Sequence, residues 1–225
     1  MMRIFRYLLV LLILLPLPFA LSAQDNAVMA KIRAGHNASF GAFAAVSVET
    51  VQTLCDNFMI NGGVQYSSIG RTALEARPAW FRDYGWGRLS AEALLYYSRL
   101  TSVNNVAFGA GADISGKWIG IKLGYYYRLF GHKGNSITEP FNIYYELRAN
   151  LLPMKRNWDL ELAITNNEIF ELERHYQPSF IATCMYYPRP YLGLSMGIGC
   201  KPSGMFHLSA DYYQSFVNLG VCYRW

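Results

Sequence analysis

The chain has 225 residues, of which 52% are hydrophobic and 16% aromatic, and carries a net charge of +5. That length suits one domain, and so slight a basic excess gives no clustered face for nucleic acid. Apolar stretches beyond Gln24 are as short as Phe40–Val46, far below the roughly 18 consecutive apolar residues that a membrane helix needs.

Residues 1–23 are expected to be a cleaved secretory signal peptide. Arg3 and Arg6 make a basic start, Tyr7 to Leu15 is uninterruptedly apolar, and Leu21-Ser22-Ala23 supplies small residues at the cut. Gln24 rather than Cys follows, which argues against a lipoprotein anchor. Removing Arg3 and Arg6 lowers the net charge of +5 to +3. Residues 24–225 are then one domain, opening with a short tether to Asn26.

The mature chain alternates. From Val28 to Val48 the even positions are largely apolar, and the odd ones include Lys31, Arg33, Asn37, Ser47 and Glu49. Alternation implies strands with one apolar and one polar face, because successive side chains leave a strand on opposite sides. Gly35-His36 could bend this stretch, so it reads as one long strand or two pieces, with Ser39–Val51 the secure part. After a turn at Cys55-Asp56-Asn57, strands follow over Phe58–Ser67 and Leu74–Trp80, the second weakened by Pro78. Past a loop at Asp83–Gly87, Leu89–Tyr97 and Val106–Ile114 alternate, with Ser115-Gly116 as a hairpin signal.

Ile119–Leu129 and Phe141–Leu151 show the clearest pattern, separated by a polar loop at Gly131–Glu139. Trp158–Ile164 comes next, and the less regular Leu172–Tyr187 leads to a loop at Tyr187-Pro188-Arg189-Pro190. Leu192–Ile198, Phe206–Tyr212 and Phe216–Trp225 complete the series. About twelve strands result, with ten to fourteen allowed, each near the length that crosses a bilayer when tilted. Lipid offers no hydrogen bonds, so strands can span it only in a closed sheet. The predicted class is all-β: a transmembrane up-and-down antiparallel β-barrel with short connections.

The last ten residues, FVNLGVCYRW, place Val217, Leu219, Val221, Tyr223 and Trp225 on one face and end on an aromatic. This resembles the closing strand of bacterial outer-membrane β-barrels. The resemblance implies a bacterial outer-membrane location, surrounding lipid, and recognition of Tyr223 and Trp225 by the barrel-assembly machinery. The aromatic-rich, short-looped pattern also resembles small barrels of the Bacteroidetes outer membrane, which implies no activity.

The polar face collects Glu49, Glu75, Arg77, Arg88, Glu92, Asp113, Lys122, Arg128, Glu146, Arg148, Asp159, Glu161, Lys201, Asp211 and Arg224 as lumen-lining residues. Both signs are present, so cross-strand ion pairs that stiffen the interior are the first expectation, ahead of single-sign ion selectivity. A barrel of this width is either filled by side chains or left as a narrow pore. The function expected is a narrow pore or a wall protein rather than an enzyme, and a subunit of an envelope complex is a further reading. A soluble exported barrel is the alternative at the level of fold.

One enzymatic alternative stands. His207-Leu208-Ser209 looks like the HxS pair of the lipid A 3-O-deacylases, with both side chains on one face and the base close to the hydroxyl. No Glu follows Glu173 to complete that family's set, and the alternation turns the pair away from lipid. No cofactor or metal is expected: Cys55, Cys184, Cys200 and Cys222 lack CxxC spacing or His partners. Export permits a disulfide, but use as small hydrophobes is the simpler reading.

Overall fold

Side-chain alternation alone would leave every strand with unpaired backbone on both edges; in the computed structural model each wall strand finds two neighbours and none is left at an edge. The structure describes residues 26–38, 41–100, 103–132, 135–152, 157–168, 171–172, 178–202 and 214–225. The expected leader lies outside them.

Twelve antiparallel strands form the closed wall. They are β1 (Ala27–Asn37), β2 (Gly41–Cys55), β3 (Phe58–Ser67), β4 (Arg71–Tyr84), β5 (Gly87–Leu100), β6 (Val103–Gly116), β7 (Ile119–His132), β8 (Asn135–Asn150) and β9 (Trp158–Thr165), then β12 (Ser179–Arg189), β13 (Leu192–Lys201) and β14 (Gln214–Arg224). Between β9 and β12, β10 (Asn167–Glu168) and β11 (Glu171–Leu172) make a small separate ribbon. Each wall strand pairs with the next in the chain, and β14 closes on β1 from Ala27↔Arg224 to Asn37↔Gln214. The final residue is tied in as well: Trp225 N donates to Asn26 O at 3.2 Å, and Arg224 N donates to Tyr191 O at 2.8 Å.

The expected strand number holds, but its composition changes. Val28–Val48 is two strands, and the chain reverses after Asn37 rather than at Gly35-His36. The expected strand at Phe206–Tyr212 lies outside the described residues, and β13 pairs directly with β14, leaving it no place between them in the wall. Connections are not all short, since 13 residues separate β9 from β12 and 12 separate β13 from β14. Most of the loop expected at Gly131–Glu139 is strand. Pro140 has no N–H to offer, and the register shift between Tyr126 and Arg128 opposite it absorbs the missing bond. Pro78 sits within β4 without a shift, opposite Ile60. The hairpin signal at Ser115-Gly116 lies two residues early, as Ser115 still pairs with Gly120. Gly70, at φ 79°, makes the tight turn before β4.

The outer surface is apolar. Ile32, Leu95, Phe108, Leu123, Ile143, Met196 and Leu219 all project outward and are exposed. Among the described residues no helix is long and apolar enough to cross a membrane, but the strands carry an apolar band of the kind lipid requires. All five tryptophans, Trp80, Trp86, Trp118, Trp158 and Trp225, are exposed near the end that holds both termini. Amphipathic indoles gather in this way at a membrane–water boundary.

Candidate functional site

The inner face is where sequence alternation places the polar side chains, and register decides which of them meet. Glu75 and Arg77 lie two apart on β4 and Glu92 faces inward on β5; all three are buried. Arg77 Nε is 2.5 Å from Glu75 Oε1, and its Nη1 is 3.3 Å from Glu92 Oε1. Lys122 on β7 bridges Glu92, at 3.0 Å, and Asp113 on β6, at 3.9 Å. Arg148 on β8 continues to Asp113 at 2.6 Å and to Glu146 at 3.3 Å. Seven side chains thus alternate in sign across five strands: Glu75, Arg77, Glu92, Lys122, Asp113, Arg148, Glu146. A buried charge is tolerable only when compensated, and within this chain every member has an opposite neighbour.

Glycines let the long side chains lie flat on the wall. A Cβ on Gly124 or Gly111 would overlap the phenol of Tyr144, and one on Gly120 would crowd the Arg148 guanidinium. Tyr144 can therefore cross to β5 and donate to Glu92 Oε1 at 3.1 Å. Around it Ala73, Leu94, Tyr96, Ala107 and Tyr126 form a buried cluster that fills one side of the interior. Guanidinium groups cover inward aromatics: Arg33 lies 4.2 Å from the Phe216 ring centroid, Arg128 lies 5.2 Å from Tyr126 and Arg224 lies 4.2 Å from Tyr187. The same Arg224 also donates to the Tyr187 hydroxyl.

On the opposite side rings again lie over glycines, Tyr187 over Gly193 and Phe216 over Gly199. Inward positions on β13 and β14 include Gly193, Ser195, Gly197 and Gly220, and β12 offers Ile181 and Thr183. Two cavities occupy the space left. One, of 330 Å³, is bordered by Lys31, Arg33, Ser47, Glu49, Gln65 and Asn218 among others. The second, of 380 Å³, reaches the Arg88 and Lys117 end of the barrel. Asn61, Lys122, Arg148 and Glu161 border both cavities, so they stand at the junction.

The remaining sequence-selected residues are distributed as follows. Glu49 accepts from Lys31 Nζ at 2.6 Å. Arg88 stands at the mouth, bonded to Asp83 at 2.7 and 3.1 Å. Arg128 is buried 3.8 Å from Glu139. Lys201 is fully buried, and Asp159 has a buried Oδ1 with no hydrogen-bond partner among the described residues. Tyr223 and Trp225 are exposed on the outside, their rings stacked with centroids 6.1 Å apart. His207, Ser209 and Asp211 lie outside the described residues. The cysteines Cys55, Cys184, Cys200 and Cys222 are free thiols.

The lumen-lining set chosen from sequence omits Lys31 and Arg33 although they are charged and lie on the same polar face, and choosing charged groups misses Asn61 and the aromatic filling of Tyr96, Tyr126 and Tyr144. Tyr126 and Tyr144 occupy polar-face positions in their strands, and that parity was the available signal.

No protein-family model matches the chain, and no curated protein matches it either. Solved structures do. The KdgM porin is similar over 88% of this chain and 99% of its own, at 9% identity and a TM-score of 0.56. The fold is that of the bacterial outer-membrane barrels. An outer membrane channel from Pseudomonas putida F1 matches over 93% of this chain and 99% of its own, with 12% identity and a TM-score of 0.54. The outer membrane phospholipase A of Escherichia coli shares 10% identity over 92% of this chain and 93% of its own, at a TM-score of 0.50. Identities this low carry the fold and no activity.

Proposed function

We propose that this protein is a narrow pore of the bacterial outer membrane. The observation that carries the reading is the pair of cavities, 330 and 380 Å³, that share a border of polar side chains inside a closed wall. The packed cluster around Tyr144 narrows the bore from one side, while the 330 Å³ cavity opens beside Ile181, Thr183 and Asn218 on the other. Solutes passing such a bore are small and hydrated. The apolar exterior and the tryptophans near the termini support burial in lipid, and Tyr223 and Trp225 supply the signal for the barrel-assembly machinery. A passage rather than an enzyme is the reading that the cavities favour, and the narrower affiliation with Bacteroidetes barrels rests on the aromatic-rich strands alone.

Recording from planar bilayers tests it directly. Purified protein should produce discrete conductance steps in symmetrical salt. A membrane that stays at background current after insertion has been verified would overturn the pore and leave a wall protein.

A further inference from the structure

Asn61, Lys122, Arg148 and Glu161 border both cavities, and an ion moving from one to the other would meet them. Two of these charges are already compensated. Lys122 is held by Glu92 at 3.0 Å, and Arg148 by Asp113 at 2.6 Å and Glu146 at 3.3 Å. Glu161 is different: it has no ion pair or hydrogen bond among the described residues.

Register explains the difference. Glu161 sits opposite Asn150 on β8 and Thr183 on β12, both neutral. Beyond Thr183, the inward positions of β13 are Gly193, Ser195, Gly197 and Gly199, and the one cation of that face, Lys201, stands at the far end of the strand. Arg148 is the basic group nearest along the wall and its field reaches Glu161, but its guanidinium is engaged by Asp113 at 2.6 Å and Glu146 at 3.3 Å and makes no direct bond to the Glu161 carboxylate. Asp159, two residues earlier on β9, adds a further carboxylate that pairs with no cation among the described residues.

Resting on the pore reading above, we propose that Glu161 is the selectivity-determining residue of the bore and makes it prefer small cations, inorganic ions and protonated amines, over anions. Lys31 and Arg33 border only the 330 Å³ cavity, where Lys31 is paired with Glu49 and Arg33 donates to Asn218 at 2.9 Å. They tune entry from one side. The junction borders both cavities, and an unpaired charge there acts on a solute moving between them.

Reversal potentials under a tenfold KCl gradient provide the test. Wild-type channels should reverse on the cation-selective side of zero. Glu161→Gln should lower the potassium-to-chloride permeability ratio by about threefold, the effect of one charge several ångströms from the ion path in water. Glu161→Asp should restore the preference, and Glu161→Lys should carry the reversal potential toward the anion side. Arg33→Gln should move it less than Glu161→Gln does. Conducting Glu161→Gln channels with an unchanged reversal potential, or wild-type channels selective for chloride, would overturn the assignment while leaving the pore intact. If Glu161→Lys fails to insert, the near-isosteric Glu161→Gln still decides. A wild-type protein that inserts and passes no current overturns the pore reading, and this inference with it.

Discussion

Tyr144 on β8 reaches across the inner wall and donates its phenolic hydrogen to Glu92 on β5, 3.1 Å away. The same carboxylate receives Arg77 at 3.3 Å and Lys122 at 3.0 Å. One buried acid therefore ties together strands β4, β5, β7 and β8. Removing the hydroxyl in Tyr144→Phe leaves Glu92 short of a donor and should cost about 1–3 kcal/mol. Glu92→Gln, which leaves two buried cations undercompensated, should cost more, about 3 kcal/mol or above. Glu49→Gln breaks only the partly exposed pair with Lys31 and should cost about 1 kcal/mol or less. Urea unfolding in detergent micelles, followed by tryptophan fluorescence, ranks the three. An equal effect for Glu49 and Glu92 would contradict the ion-pair chain as the stiffening element.

The ring of Tyr144 depends on the glycines beneath it. Gly124→Val places two methyl groups where the phenol lies, and the ring must lift into the bore. The expected loss is about 1–3 kcal/mol, typical of an overpacked core, with a lower single-channel conductance in the same variant. Tyr144→Ala should move conductance the other way, since it empties that space. A change in stability with conductance unaltered in both variants would show that the aromatic cluster does not bound the bore.

Leu95 projects outward near the middle of β5 and is 53% exposed. In water Leu95→Arg would be close to neutral. At mid-depth in a bilayer it should cost about 2–4 kcal/mol. Comparing unfolding from phospholipid vesicles of wild type and variant measures this, and a negligible difference would place the band outside lipid.

Trp225 and Tyr223 face outward at the last turn of the wall, and only the backbone of Trp225 bonds to Asn26. On the proposal that the assembly machinery reads this side chain, Trp225→Ala should refold normally in detergent yet reach the outer membrane in much lower amount in cells. Fractionation against in-vitro refolding separates the two effects. Equal membrane levels would remove the recognition role.

Much of the wall was legible beforehand because a period of two is a local property. Ile119–Leu129 and Phe141–Leu151 reveal their faces without reference to any other residue. The split of Val28–Val48 was not: both pieces keep the same parity, so only the pairing of Asn37 with Gly41 shows where the chain reverses. Parity also does not say which neighbour a strand pairs with; the direct pairing of β13 with β14 is read only from the closed sheet.

For the lumen, alternation determined that charges of both signs turn inward, and residue identity determined that they could pair. Which pairs form belonged to the closed barrel alone. Arg148 bypasses its own neighbours on β9 because Gly120 opens a path to Asp113, 35 residues earlier in the chain. Glu161 is left facing the bore with no direct ion pair among the described residues, although Arg148 stands near it. Long side chains select partners by diagonal reach across strands, and diagonal reach exists only once register, twist and closure are set.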